Sequence, residues 1–148
     1  MVIDIRNFDE LSKLELYELL RLRAEVFVVE QQCAYQDLDG KDVKALHILG
    51  KKKGEELVAY ARVFEPGFYF EQASIGRIVV APGHRAERLG KKIVLAAEKA
   101  IIQFYDGETV KLSAQSYLKR FYNELGYRSI GEEYLEDGIP HIAMVKNL

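Results

Sequence analysis

Four basic side chains, Arg85, Arg88, Lys91 and Lys92, crowd the start of a stretch whose apolar residues Leu89, Ile93, Ala96, Ala97, Ala100, Ile101 and Phe104 recur at helical spacing. That is the wrong end for them. A helix N-terminus is the positive pole of the peptide dipole and presents unpaired N–H groups. Acids are favoured there, and each misplaced cation costs about 0.3 kcal/mol or more. Glu87 is the one acid among them. The cost is understandable if an anion is meant to sit at the helix start, where free amides, the dipole and guanidinium groups form a phosphate cradle. The other reading is a solvated basic surface whose long side chains point away, and on spacing alone both stand.

Other clusters carry less. Asp37, Asp39, Gly40 and Asp42 invite a calcium-loop reading. However, Gly40 follows Asp37 by three positions rather than five, and Ile48 stands where a closing glutamate belongs. Capping and turn formation by Asp and Gly explain that loop, and no metal site is expected. Cys33 is the single cysteine, so an intrachain disulfide and a multi-thiol zinc site are excluded. As a nucleophile it lacks an obvious His or Asn to activate it. His47 and His141 lie in apolar strands, where a satisfied core or edge histidine is as good a reading as a catalyst. His84, in the turn before the basic helix, reads as positional, and Lys51-Lys52-Lys53 reads as a solvated hairpin tip.

Positioning the basic start requires a strand, a turn and a helix. Ile75–Val80 is apolar and β-branched, and Pro82-Gly83 stops it. Gly76 could create a bulge that splays this strand from a later neighbour. Upstream, Val2–Arg6 alternates as a first strand, and Asp9 is the expected cap of a leucine-rich helix from Glu10. Ala24–Gln31 reads as a second short helix, although Val26, Val28 and Val29 equally suit a strand. Ala45–Leu49 and Leu57–Phe64 form a hairpin. Downstream, Asp106-Gly107 ends the basic helix, Thr109–Gln115 is a strand, and Tyr117–Leu125 is a short helix ended by Gly126. Tyr127–Glu133 and His141–Val145 close the chain around the Asp137-Gly138-Ile139-Pro140 turn. Helices interrupt a mostly antiparallel run of strands, with one parallel pair around 75–115, which is an α+β arrangement.

The totals agree. The 148 residues suit one domain spanning 1–148, and 49% apolar with 30% charged residues describes an ordinary soluble core and surface. A formal net charge of −2 argues against a general nucleic-acid binder, so the basic cluster is local and suits a small anionic ligand. No signal-like or membrane-length apolar run is present, so no membrane association is expected and the cytoplasm is the expected location.

In this order the motifs resemble the GNAT superfamily of N-acetyltransferases, and within it the ElaA-like branch, nearly end to end. Arg85-Ala86-Glu87-Arg88-Leu89-Gly90 matches the superfamily's signature at a helix start. More specific to the branch are Leu22–Gln31, Tyr35–Asp42, Leu57–Arg62, Leu112–Gln115 and Glu136–His141. One departure stands out: Arg88 occupies the place of the signature's first glycine, which normally allows close approach and unusual dihedrals.

The resemblance implies a mixed, mostly antiparallel central sheet flanked by helices, and acetyl-CoA as co-substrate. The pantetheine arm would lie along Ile78, Val79 and Val80 like an added strand. The pyrophosphate would meet the segment Arg85, Ala86, Glu87, Arg88, Leu89, Gly90 and Lys91. It also implies direct attack of an amine on the thioester, with the Val80 amide polarising the carbonyl and Tyr122 protonating the departing thiolate. Tyr122 packed beside Phe121 as an ordinary aromatic is the alternative. Glu30, Asp39 and His141 are the candidate bases. The acceptor, a small-molecule or peptide amine, is not named by the sequence. Acids at Glu30, Asp37 and Asp39 hint at a cation, although acidic loops are usually just solvated. Two readings compete with the enzyme: a non-catalytic CoA-binding sensor, and a structural protein that forms a homodimer through Phe68-Tyr69-Phe70.

Overall fold

The computed structural model describes residues 1–148. Its frame is one seven-stranded sheet in the order β1-β2-β3-β4-β5-β7-β6. The strands are β1 (Val2–Asn7), β2 (Leu46–Lys51), β3 (Leu57–Phe64), β4 (Ala73–Val80), β5 (Thr109–Gln115), β6 (Arg128–Glu136) and β7 (Ile139–Asn147). All neighbours are antiparallel except β4 and β5. Helices α1 (Lys13–Arg23) and α2 (Leu89–Tyr105) and the short α3 (Lys119–Glu124) complete the expected α+β arrangement.

Alternation along the central strands gives each face its own helix. Leu49, Tyr60 and Val79 meet Leu19, Leu22 and Val26 from α1 and the turn after it. Ile48, Ala61 and Ile75 belong to the larger core, which α2 fills with Ile93, Val94, Ala97 and Ile101. Ile93 is fully buried, and trimming such a side chain to alanine costs about 2–5 kcal/mol. No helix is long and apolar enough to cross a membrane.

Several local expectations need correction. The cap of α1 is Ser12, not Asp9: the Ser12 hydroxyl accepts from the Glu15 amide at 3.0 Å and the Glu15 carboxylate accepts from the Ser12 amide at 2.8 Å. Ala24–Glu30 is helical but wide, a π-turn in which the Gln31 amide reaches back five residues to the Val26 carbonyl at 3.1 Å. The lysine run is not all solvated, since Lys51 pairs with Glu15 at 2.7 Å and Asp4 at 3.1 Å and Lys52 pairs with Glu87. Residues 82–87 form a tight 3₁₀ segment, so α2 itself begins only at Leu89. The β6–β7 connection closes on Asp137 and Gly138 alone, both at positive φ, which suits a two-residue hairpin.

Candidate functional site

β4 and β5 pair only at Ala73 with Val110 and Ser74 with Lys111. Beyond that point they part, leaving the edge of β4 that faces β5 without a sheet partner. The gap opens into a cleft of about 1030 Å³, bordered by β4, the start of α2, α3, the π-turn and the β6–β7 turn. Among the expected donor-site residues, Ile78, Val79, Val80, Arg85, Arg88, Gly90 and Lys91 line it, whereas Ala86, Glu87 and Leu89 do not.

The splay has a different local origin from the one expected. Gly76 keeps a negative φ, and the left-handed residue is its neighbour Arg77, at φ 50°. At the mouth of α2 the same conformation recurs in Arg88, with φ 56° and ψ 30° and no side chain capping the helix. An arginine has thus adopted the conformation usually left to glycine, which costs about 1–2 kcal/mol.

The basic cluster is partly neutralised. Arg85 forks onto Glu30, Nη1 donating at 2.7 Å, and this bond holds the Glu30 carboxyl below its ordinary range. His84 and Lys52 share Glu87. Arg88, Lys91 and Lys92 form no ion pair, and the first two face the cleft. This is where positive charge and the unfilled amides of a helix start converge.

The expected catalytic residues Tyr122, Glu30 and His141 all line the cleft. Tyr122 is only 5% exposed, and burial pushes its phenol above the ordinary value. His141 Nδ1 donates to the Ile139 carbonyl at 2.7 Å, which turns Nε2 toward Glu136 at 3.3 Å. Asp39 lies outside the cleft lining. Burial alone would raise its carboxyl, but hydrogen bonds from Arg62 and the Lys41 amide outweigh this and hold it at about 2.

Asp39 is one member of a buried network that the motifs did not reveal. Arg23 from α1 donates to Asp37 at 3.0 Å and Asp42 at 2.8 Å. Arg62 from β3 donates to Asp39 at 2.9 Å and Asp42 at 3.0 Å, and Arg77 from β4 donates to Asp37 at 2.7 Å. Three arginines balance three aspartates, so the loop acids expected to attract a cation are already neutralised within the protein. A sequence signal did exist: two arginines interrupt buried strands, and three aspartates crowd one loop.

Two further groups escaped the sequence reading. Gln31 and Gln115 exchange amide hydrogen bonds at 3.2 Å, tying the π-turn to the end of β5. Glu136 lines the cleft with no arginine partner. Cys33 also lines the cleft and donates its thiol to the Asp137 carbonyl at 3.4 Å. Of the aromatic trio, Phe68 and Tyr69 are exposed, while Tyr69 and Phe70 also border the cleft.

Residues 11–148 match the acetyltransferase (GNAT) domain family. The chain is 43% identical to protein ElaA of Escherichia coli K12 over 144 residues, covering 96% of this chain and 94% of the relative. The crystal structure of Escherichia coli ElaA superimposes with a TM-score of 0.90 at 40% identity, covering 99% of each chain. An acyl-CoA N-acyltransferase from Pseudomonas aeruginosa gives 0.89 at 38% identity, again covering 99% of each.

Proposed function

This chain belongs to the GNAT acetyltransferase family, and on that premise we propose that it transfers the acetyl group of acetyl-CoA to a primary amine by direct attack. The carrying observation is the partnerless edge of β4 opening on a cleft that ends at an uncapped helix start beside two unpaired cations. An extended amide-bearing arm satisfies such an edge as an added strand does. A pyrophosphate suits the α2 amides with Arg88 and Lys91.

In the chemical step the amine nitrogen bonds to the thioester carbon, the Val80 amide polarises the carbonyl, and the C–S bond breaks. The leaving thiolate takes the phenolic proton of Tyr122. Burial raises the phenol, so it carries its proton at neutral pH, while the same burial makes it a weaker acid that gives the proton up only as the thiolate forms beside it. An acceptor that arrives as an ammonium sheds one proton to become the nucleophile and a second as the amide forms, one to a base in the cleft and one to water. His141 suits the part of that base better than Glu30, because its Nδ1–H bond fixes the ring and Glu136, 3.3 Å from Nε2, would stabilise the imidazolium formed once Nε2 takes the proton, whereas Glu30 is engaged by Arg85. With Asp37 and Asp39 neutralised, Glu136 and Asp137 are the cleft carboxylates without an arginine or lysine partner, and they can meet an incoming ammonium group.

Calorimetry with acetyl-CoA tests the donor half, where absence of saturable binding at millimolar ligand overturns it. Thiol release across a panel of primary amines tests the transfer. Binding without thiol release for any amine would leave the CoA-sensing reading in its place.

A further inference from the structure

β4 carries one residue more than β3 can match. Ser74, Ile75 and Gly76 face Phe64, Val63 and Arg62, but Val79 and Val80 face Tyr60 and Ala59, so Arg77 and Ile78 together oppose Ala61. This is a β-bulge. Without it the strand beyond Gly76 would shift by one and every side chain would change face. Val79 would then leave the core cluster it shares with Leu19, Leu22 and Tyr60, and the backbone edge offered to the cleft would change with it.

The bulge is made by Arg77 at φ 50°, a conformation that an arginine's own backbone disfavours. What holds it comes from outside the strand. Arg77 Nε donates to the Asp37 carboxylate at 2.7 Å and Nη2 to the Asp37 carbonyl at 2.9 Å, so Asp37 grips the guanidinium at two points, with the Asp39 carboxylate farther from Nη2 at 3.5 Å. Asp37 is 4% exposed and cannot drift, because Arg23 donates to the same carboxylate at 3.0 Å and the Tyr35 hydroxyl donates at 2.8 Å. The Tyr35 ring also lies under the Arg77 guanidinium, 5.7 Å from its centroid.

We propose that Asp37 is a positioning residue for the acyl-donor site: it clamps Arg77 in the left-handed conformation and thereby sets the bulge that presents Ile78–Val80 to the cleft. The inference rests on the reading of that strand edge as the seat of acetyl-CoA. It assigns the Tyr35–Asp42 loop a role in donor binding, although the loop's acids do not line the cleft.

The test separates the clamp from the ion pair. Arg77→Ala and Arg77→Gly both remove the guanidinium, but only glycine adopts positive φ freely. Calorimetry on the folded proteins should show acetyl-CoA binding weakened about tenfold in Arg77→Ala, because the bulged state is no longer held, and nearly unchanged in Arg77→Gly. Where Asp37→Asn folds, it should weaken binding, and Asp37→Asn/Arg77→Gly should restore it. A purely structural role would lower the thermal midpoint of both Arg77 variants and leave their affinities equal. Equal affinities therefore overturn the clamp while the donor site stands. Absence of binding by the unmodified protein overturns the donor-site reading and the clamp with it.

Discussion

Arg88 concentrates two opposed demands in one residue. Its backbone sits at φ 56°, where a side chain costs about 1–2 kcal/mol, while its guanidinium faces the cleft without an ion-pair partner. Arg88→Gly should therefore raise the unfolding free energy by about 0.5–1 kcal/mol, the relief of strain being partly offset by the freer unfolded chain. It should also weaken acetyl-CoA binding, and the loss should shrink as salt screens the missing charge. Urea unfolding and calorimetry at two ionic strengths read both effects, and a variant no more stable than its parent removes the strain argument. Tyr122 is the complementary case, a residue whose backbone is ordinary and whose hydroxyl matters. Tyr122→Phe should reduce turnover by about a hundredfold or more while acetyl-CoA affinity changes little. Unchanged turnover would return Tyr122 to the role of a packed aromatic beside Phe121 and Tyr127.

At the scale of elements, periodicity and turn residues carried most of the information. The seven strands and the long helix follow from apolar spacing in the sequence, and the parallel β4–β5 pair follows from a strand-helix-strand order. What escaped was one local signature, the Ser12-x-x-Glu15 capping box, and chemistry not written in local pattern. Asp9 and Ser12 are both acceptable caps by type, and only the reciprocal bond from Glu15, three residues beyond Ser12, selects between them. The donor-loop residues and Tyr122 came from motif resemblance. The Arg23, Arg62 and Arg77 pairs join residues 14 to 40 positions apart, so no window of sequence displays them. The bulge at Arg77 is hidden for the same reason, since the next residue back, Gly76, is the one whose type suggests it. The cap assignment has a simple consequence. Ser12→Ala should lower stability by about 1 kcal/mol and Asp9→Ala by far less, measured by urea unfolding; equal losses would contradict the capping box.

Across the whole molecule, the buried charges on one side of the sheet set the response to acid. Three arginines and three aspartates balance, and His47, fully buried at the edge of this network, must stay neutral. Its Nε2–H donates to the Asp42 carbonyl at 2.9 Å, so Nδ1 accepts from the Tyr60 hydroxyl at 2.7 Å; a second ring proton would turn that hydroxyl into an acceptor and deprive its own hydrogen of this partner. Burial, together with the positive charges of Arg23 and Arg62, holds the folded imidazole below its ordinary 6.5. Below that pH the unfolded chain takes up a proton that the folded chain refuses, so stability falls as the pH drops through 6.5. Asp39 acts lower on the scale. Held at about 2 against an ordinary 3.8, it contributes stability that is complete above 3.8 and lost as the pH falls toward 2. The unfolding free energy should thus decline in two stages, the first set by His47 and the second by Asp39 and Asp42, both held below their ordinary range by their arginine partners. Urea unfolding between about pH 7.5 and 5 isolates the first stage. His47→Gln, whose amide offers one donor and one acceptor to the same partners, should flatten that limb while the acid limb below pH 4 persists. A parent protein equally stable at both ends of the upper range, or a His47→Gln variant with an unchanged slope, would show that the imidazole does not control it.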